Sequence, residues 1–120
     1  MTIEDLTKEI EDILGYCSVT YNQDQPAELM ERLTNLSVYL ARTAELLSEA
    51  QYFYDYHLAL ETDKLLGLNY SGNALRDVAK GRVATHKKLL DLTERINSTI
   101  THQIDAIRTQ LSYLKSLNNS

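Results

Sequence analysis

The stretch Gly67-Leu-Asn-Tyr-Ser-Gly-Asn73 decides the fold, because helix-stopping residues are concentrated there in the middle of the chain. Two glycines and two asparagines fall within its seven residues. This composition ends one helix and caps the next, through Ser71 or Asn73. On both sides of the stretch, apolar residues recur every three or four positions over a long distance. The sequence therefore predicts two long helices joined by a reversal of the chain.

The helix before the turn is predicted to start at the single proline, Pro26, and no further helix breaker appears until Gly67. Proline suits the first turn of a helix, and the acidic Glu28 suits the positive end of the helix dipole. We predict a helix over residues 27–66, about 60 Å long at about 1.5 Å per residue. Its core-facing stripe is predicted to consist of Leu29, Leu33, Leu36, Leu40, Ala44, Leu47, Gln51, Tyr54, Leu58 and Leu65.

The helix after the turn is predicted over residues 74–116, with Gly81 as its only interruption. A glycine inside a helix costs about 1 kcal/mol relative to alanine and indicates a kink or a close backbone approach. In an antiparallel pair, facing residues have numbers with a constant sum, here about 140. The stripe of this helix is predicted to contain Leu75, Val78, His86, Leu89, Thr93, Ile96, Ile100, Ile104, Ile107, Leu111 and Leu114.

A short helix over residues 3–14 is predicted to precede the hairpin. Thr2 and Asp5 have the spacing of a capping box, and Gly15 is expected to end the helix. The segment after it, including Cys17, is expected to be a linker. The fold class is therefore all-α, and residues 1–120 have the usual size of a single domain.

The chain carries more apolar residues than two paired helices need. The short helix could cover about 20 Å of a groove about three times as long. Self-association into a four-helix or larger bundle is the simplest arrangement that would bury the rest. The apolar residues outside the paired stripe are Leu46, Phe53, Leu60, Leu66, Leu90, Leu92 and Leu117.

The composition is typical of a folded protein in water, with 43% hydrophobic and 24% charged residues. No apolar run approaches the roughly 18 residues of a membrane-spanning helix. The N-terminal residues are acidic, whereas a secretory signal is basic and then apolar. We therefore expect a cytoplasmic protein without a membrane partner. Cys17 is the only cysteine, so no intramolecular disulfide is expected.

The net charge of −5 is unevenly distributed along the chain. Residues 1–31 carry eight acids and one base, whereas residues 74–120 carry four acids and eight bases. The chain as a whole lacks the basic character of a typical nucleic-acid binding protein. A local basic surface is nevertheless expected near the second long helix.

An aromatic segment, Gln51-Tyr-Phe-Tyr-Asp-Tyr-His57, lies near the turn, and the register places it beside the basic residues of 80–88. Rings and cations together suit stacking on a base and neutralising a phosphate, as in nucleotide or single-stranded nucleic-acid binding. The alternative is that the aromatics form core or an oligomer interface, where tyrosine is common. The candidate binding residues are Tyr52, Tyr54, Tyr56, His57, Tyr70, Lys80, Arg82, His86, Lys87 and Lys88.

Metal binding and catalysis find little support in the sequence. His57, His86 and His102 lack the close helical spacing of zinc motifs, although His57 and His86 should face each other across the hairpin. No glycine-rich phosphate-binding motif is present, and Cys17 has no nearby base to activate it. We therefore predict no metal, no cofactor and no enzymatic activity.

Two segments, Val78-Ala-Lys-Gly-Arg-Val-Ala-Thr85 and His102-Gln-Ile-Asp-Ala-Ile-Arg-Thr-Gln-Leu-Ser-Tyr-Leu-Lys115, resemble parts of small helical proteins encoded by phages and prophages. The resemblance covers less than a quarter of the chain and includes no motif of known chemistry. Such proteins often act by binding, as recombination accessories or as inhibitors of host defence. The resemblance implies a binding role, and together with the surplus apolar face it favours a non-enzymatic protein that forms homo-oligomers and contacts another protein. A nucleotide or single-stranded nucleic-acid binding protein is the alternative hypothesis.

Overall fold

The computed structural model of the protein describes residues 1–119, which form four helices and contain no strand. The helices are α1 (Ile3–Cys17), α2 (Pro26–Leu65), α3 (Gly72–Arg82) and α4 (Ala84–Asn118). Helix α2 packs against α3 and, much more extensively, against α4. The predicted all-α hairpin is therefore confirmed, with its reversal between residues 66 and 71.

The molecule is a rod with principal extents of 74 × 26 × 19 Å. Its radius of gyration is 20.1 Å, whereas a compact domain of this length would have about 14 Å. The helices therefore share a core along their sides only. Within residues 1–119, no helix is both long enough and apolar enough to cross a lipid bilayer.

Local signals in the sequence set the starts of three helices. The N–H of Asp5 donates to Thr2 Oγ1 at 3.1 Å and the N–H of Thr2 donates to the Asp5 carboxylate at 3.2 Å, which confirms the capping box. Helix α2 begins at Pro26, as its fixed φ angle favours. Ser71 caps α3, because its Oγ accepts the N–H of Ala74 at 3.2 Å.

Helix α1 continues to Cys17, so the predictions that it ends at Gly15 and that Cys17 lies in a linker are wrong. A glycine in a helix costs only about 1 kcal/mol, and contacts with other helices outweigh that cost. Arg32 Nη2 donates to the carbonyl of Cys17 at 3.2 Å, and Gln103 Nε2 donates to the same carbonyl at 3.0 Å. These bonds satisfy a carbonyl that a helix C-terminus otherwise leaves without a partner.

The second arm of the hairpin consists of two helices and not of the single helix predicted over residues 74–116. Val83 separates α3 from α4, with a φ of −111° and a ψ of 21°. Its N–H bonds to the carbonyl of Lys80 at 3.2 Å, which tightens the last turn of α3. A Cβ added to Gly81 would meet nothing within 4 Å. This glycine therefore weakens the helix beside the break, and it does not mark a close backbone approach.

Helix α1 runs antiparallel to α2 and packs against both α2 and α4. Arg42 on α2 donates two hydrogen bonds of 2.6 Å to the carboxylate of Glu9 on α1. The same guanidinium lowers the pKa of the Glu9 carboxyl. At 15 residues, α1 is about 22 Å long and covers only part of the hairpin. Its buried residues are Leu6, Ile10, Ile13 and Cys17.

Burial differs between the covered and uncovered parts of the hairpin. We call residues 1–50 and 96–119 the base half and residues 51–95 the tip half. From Gln51 to Lys64, no side chain of α2 is buried. The core is continuous in the base half, where the largest fully buried side chains are Leu6, Ile10, Leu29, Leu36, Thr43, Leu46, Ile100 and Ile107.

The two predicted stripes have different outcomes. The α4 stripe is confirmed from Thr93 to Ile107, where all five predicted residues are buried, whereas Leu90, predicted to lie outside the stripe, is buried as well. The α2 stripe is partly wrong, because Ala44 and Gln51 are exposed. The residues that α2 buries are Leu29, Arg32, Leu36, Thr43, Leu46, Ala50 and Leu65. Helix α2 faces both α1 and α4, so its buried arc extends beyond the single stripe.

The predicted register agrees best with the tip half, where His57 faces His86 and Lys87 lies over Tyr54. Near the base, Arg32 bonds to Gln103, and facing numbers there sum to about 135 instead of about 140. Helix α1 also accounts for part of the surplus apolar surface, since Leu46 and Leu90 join the core. The exposed members of that surplus set are Leu60, Leu66 and Leu117.

Candidate functional site

The aromatic segment and the basic segment meet in the tip half, and their side chains separate into several groups. One group surrounds a cavity of about 490 Å³ between α2, α3 and α4, which we call the basic depression. It is lined by Tyr54, Lys80, Ala84, Lys87, Lys88, Asp91 and Arg95. Four of the ten predicted residues therefore lie together, namely Tyr54, Lys80, Lys87 and Lys88.

The basic depression holds four cations and a single carboxylate, that of Asp91. Lys87 Nζ is 3.2 Å from the Asp91 carboxylate and 5.5 Å from the centre of the Tyr54 ring. The hydrogen bond to Asp91 raises the pKa of Lys87. Within residues 1–119, Lys80, Lys88 and Arg95 form no ion pair. The depression therefore has an excess of positive charge in an acidic protein.

Arg95 and Asp91 were not among the predicted site residues, although helical spacing could have identified them. Arg95 lies seven residues after Lys88, and Asp91 lies four residues after Lys87. Both intervals bring side chains to the same face of a helix. The predicted basic segment ended at residue 88, so it included neither of them.

His57 and His86 form a second group, a stacked pair whose ring centres are 4.3 Å apart. This confirms the prediction that the two rings face each other. Phe53 stacks on the other side of His57, with ring centres 6.5 Å apart. Burial and the neighbouring His57 lower the pKa of His86. Its Nδ1 is buried and has no hydrogen-bond partner among the described residues, so the pair is suited to packing in its neutral form.

The histidine pair lies where the cover of α1 ends. His86 and Thr85 line a cavity of about 390 Å³ together with α1 residues. The charged members of that lining are Glu4, Lys8 and Glu11. Two other helices, α1 and α2, therefore place titratable groups around His86.

Tyr52 and Tyr56 form a third group on the solvent-facing side of α2, with stacked rings 5.8 Å apart. Together with Leu60 they make a row at intervals of four residues, which we call the outer tyrosine row. Tyr52 is 60% exposed and Tyr56 is 49% exposed. None of the three residues lines the basic depression. The prediction that Tyr52 and Tyr56 share one binding site with the lysines is therefore wrong.

The remaining two predicted residues also lie outside the basic depression. Arg82 forms an ion pair with Glu61 at 3.3 Å, and Glu61 also binds Lys64 at 3.1 Å. Tyr70 lies in the turn between α2 and α3 and is exposed. Arg82 therefore ties the two arms of the hairpin together near the turn.

The most buried cation of the base half, Arg32, was not predicted as special. It is 5% exposed, and its guanidinium carbon lies 4.2 Å from the ring centre of Tyr16 and 4.8 Å from that of Tyr21. It also donates to Gln103 Oε1 at 3.0 Å. No carboxylate pairs with it within residues 1–119. Leu29 and Leu36 are seven residues apart, and Arg32 lies between them on the same face of the helix. This heptad spacing could have predicted that Arg32 is buried.

No group of three or more histidine, cysteine, aspartate or glutamate side chains converges on a point among residues 1–119. Burial raises the pKa of Cys17, which makes its thiol less reactive. Comparison of the chain with protein-family models, curated proteins and solved structures finds no match.

Proposed function

We propose that this chain is a non-enzymatic helical interaction protein that assembles with further copies of itself through the tip half of its hairpin. One observation carries the proposal: α2 buries no side chain between Gln51 and Lys64. That length is about four helical turns. Two helices alone cannot bury a full core there, because each keeps most of its surface in water.

The outer tyrosine row is the proposed centre of the contact. Tyr52, Tyr56 and Leu60 lie at intervals of four residues on α2, and all three are exposed. Tyrosine is enriched in protein interfaces because its ring buries apolar area while its hydroxyl retains a polar partner. A two-fold axis at this row would place it against its own copy and give a four-helix arrangement.

The distribution of charge favours a second copy that binds tip to tip. Residues 51–95 carry six acids and seven bases, whereas the rest of the chain carries eleven acids and five bases. Association through two base halves would therefore bring together two surfaces that each carry a net charge of −6. Two tip halves are almost neutral. Like charges brought together weaken association.

We further propose that the assembled protein acts by binding in the cytoplasm, as a phage-type accessory or as an inhibitor of host defence. This part rests on the resemblance of residues 78–85 and 102–115 to phage and prophage proteins. The exposed surfaces of the assembled hairpins would supply the contacts with other proteins.

Sedimentation velocity at micromolar concentration tests the self-association. The chain has a mass of 13.7 kDa, so a dimer or larger species is readily distinguished from a monomer. We expect the unmodified protein to be oligomeric and Tyr56→Glu to be monomeric, because the substitution places a carboxylate at the proposed contact. Circular dichroism should show unchanged helicity in that variant.

The matched control is Val38→Glu, which changes a 65% exposed residue on α2 in the base half. We expect this variant to remain oligomeric. A clean monomer for the unmodified protein would contradict the proposal, and so would equal dissociation by Val38→Glu and Tyr56→Glu.

A further inference from the structure

The basic depression is a second surface of the tip half, and it lies apart from the outer tyrosine row. The chain as a whole has a net charge of −5, yet this depression gathers four cations around one aspartate. Among residues 1–119, Lys87 is the only one of the four that forms an ion pair, with Asp91 at 3.2 Å. The three unpaired cations attract an anionic ligand.

The cations of the depression come from two helices. Lys88 and Arg95 lie seven positions apart on α4, which corresponds to about 10 Å, and Lys80 lies on α3, before the break at Val83. A single phosphate group is small compared with this spacing. A chain of phosphates can contact several of these cations, because its successive charged groups extend along the surface.

Tyr54 provides an aromatic ring at the same surface. The ring is half-buried in the wall of the depression, and Lys87 Nζ lies 5.5 Å from its centre. A base can stack on this ring while Lys87 moves from the ring to a phosphate, since every base has a flat π face. Tyrosine and lysine thus provide both contacts that a nucleotide unit needs.

We propose that the basic depression binds single-stranded nucleic acid, with Lys80, Lys88 and Arg95 along the phosphate chain and a base stacked on Tyr54. The binding is independent of base identity, because contacts with phosphates and with a ring face carry no sequence information. It is electrostatic in origin, so it weakens as salt is added. This binding activity is additional to the proposed self-association, and it uses a different surface of the tip half.

The first test is a fluorescence-anisotropy titration of the full protein with a labelled oligothymidine of about 12 nucleotides. Each phosphate contact with a single strand contributes about −0.7 to the slope of log affinity against log salt. Three contacts therefore predict a slope of about −2. Lys88→Glu and Arg95→Glu should each weaken binding by about tenfold or more and make the slope shallower.

The matched control is Lys115→Glu, which removes an exposed cation from the last turn of α4 in the base half. It should leave the affinity unchanged. For the stacking contact, Tyr54→Leu should weaken binding by about tenfold, whereas Tyr52→Leu on the outer tyrosine row should not. A thermal unfolding curve for each variant checks that the fold is retained.

Competition distinguishes a nucleic-acid chain from other phosphate compounds. Unlabelled oligothymidine should displace the probe at far lower concentration than a mononucleotide or inorganic phosphate. The proposal is overturned if no oligonucleotide binds at low salt, if Lys88→Glu and Arg95→Glu bind normally, or if inorganic phosphate competes as well as the oligonucleotide. None of these results depends on whether the protein is monomeric, so they are separable from the test of self-association.

Discussion

The base half and the tip half are built on the same pair of antiparallel helices, yet they bury their side chains to very different extents. In the base half, Leu36, Leu46 and Ile100 are completely buried. In the tip half, the corresponding stretch of α2, residues 51–64, contains aromatic and leucine residues but no buried side chain. Apolar composition is similar in the two halves. The difference comes from α1, which packs against the base half and extends as far as Thr85 and His86 at the border of the tip half.

Where α1 does not reach, α2 and its partner helices set a register without enclosing a continuous core. Leu65, Ala79 and Val83 are buried near the turn, but α2 residues 51–64 keep their apolar side chains partly or fully exposed. Both proposed binding surfaces lie in the tip half. Surface-exposed side chains on rigid helices are available to partners without a change of fold. The base half then acts as the stable support for the tip half.

The largest expected effect compares two leucines of α2, one in each half. Leu36→Ala removes a fully buried side chain and should lower the free energy of unfolding by about 2–5 kcal/mol. Leu58→Ala removes a half-buried one and should cost about 1 kcal/mol. Urea denaturation followed by circular dichroism measures both. Equal losses would mean that the tip half has a core comparable to that of the base half.

A smaller effect compares two arginines. Arg32→Ala takes one donor from the Cys17 carbonyl and empties the space between two tyrosine rings, which should cost about 2–3 kcal/mol. Arg82→Ala breaks an exposed ion pair with Glu61 and should cost less than about 1 kcal/mol. Thermal and urea unfolding of the two variants under identical conditions would test this difference. A greater loss for Arg82→Ala would reverse the assignment of the two residues.

The smallest effect concerns pH and the border between the halves. The pKa of His86 is lowered by burial and by His57, so the unfolded chain takes up a proton at higher pH than the folded protein. The stability that depends on neutral His86 is present above about pH 6.5, the ordinary pKa of histidine, and is lost as the pH falls from there to the lower pKa of the folded protein. Glu4, Lys8 and Glu11 of α1 line the same cavity.

We expect His86→Gln to reduce the loss of stability between about pH 7.5 and about pH 5.5, a range in which histidine titrates. His102→Gln is the matched control, because His102 is an exposed histidine on the same helix. Melting temperatures at the two pH values give the comparison. An unchanged pH dependence of the melting temperature in His86→Gln would show that protonation of His86 does not cause the loss of stability at low pH.

The sequence was a better guide to α4 than to α2, for a physical reason. The buried line of α4 is mostly isoleucine, so hydrophobic spacing alone identifies it. The buried line of α2 includes Arg32 and Thr43, which normally face water. Arg32 is tolerated because tyrosine rings and a carbonyl from distant positions surround it. Such partners become visible only when the chain is folded.

The candidate site shows the same limit. An antiparallel register follows from arithmetic, so the proximity of Tyr54 to Lys87 and of His57 to His86 could be predicted. The side of α2 on which each tyrosine lies was less well predicted, since Tyr52 lies about half a turn around α2 from Tyr54. The break at Val83 could not be located either, because Gly81 two residues earlier was the stronger signal.

The uneven core also bears on the order in which the chain folds. The ion pair of Arg82 with Glu61 closes a separation of 21 residues, whereas the bond of Arg32 with Gln103 closes one of 71. Loop-closure entropy grows only slowly with length, so the longer closure costs about 1 kcal/mol more. Full burial of a single leucine contributes about 1.5–3 kcal/mol and exceeds this difference. Folding of the hairpin is therefore not expected to start at its turn. We expect the transition state for folding to be organised around the base half, where α1 packs against α2 and α4.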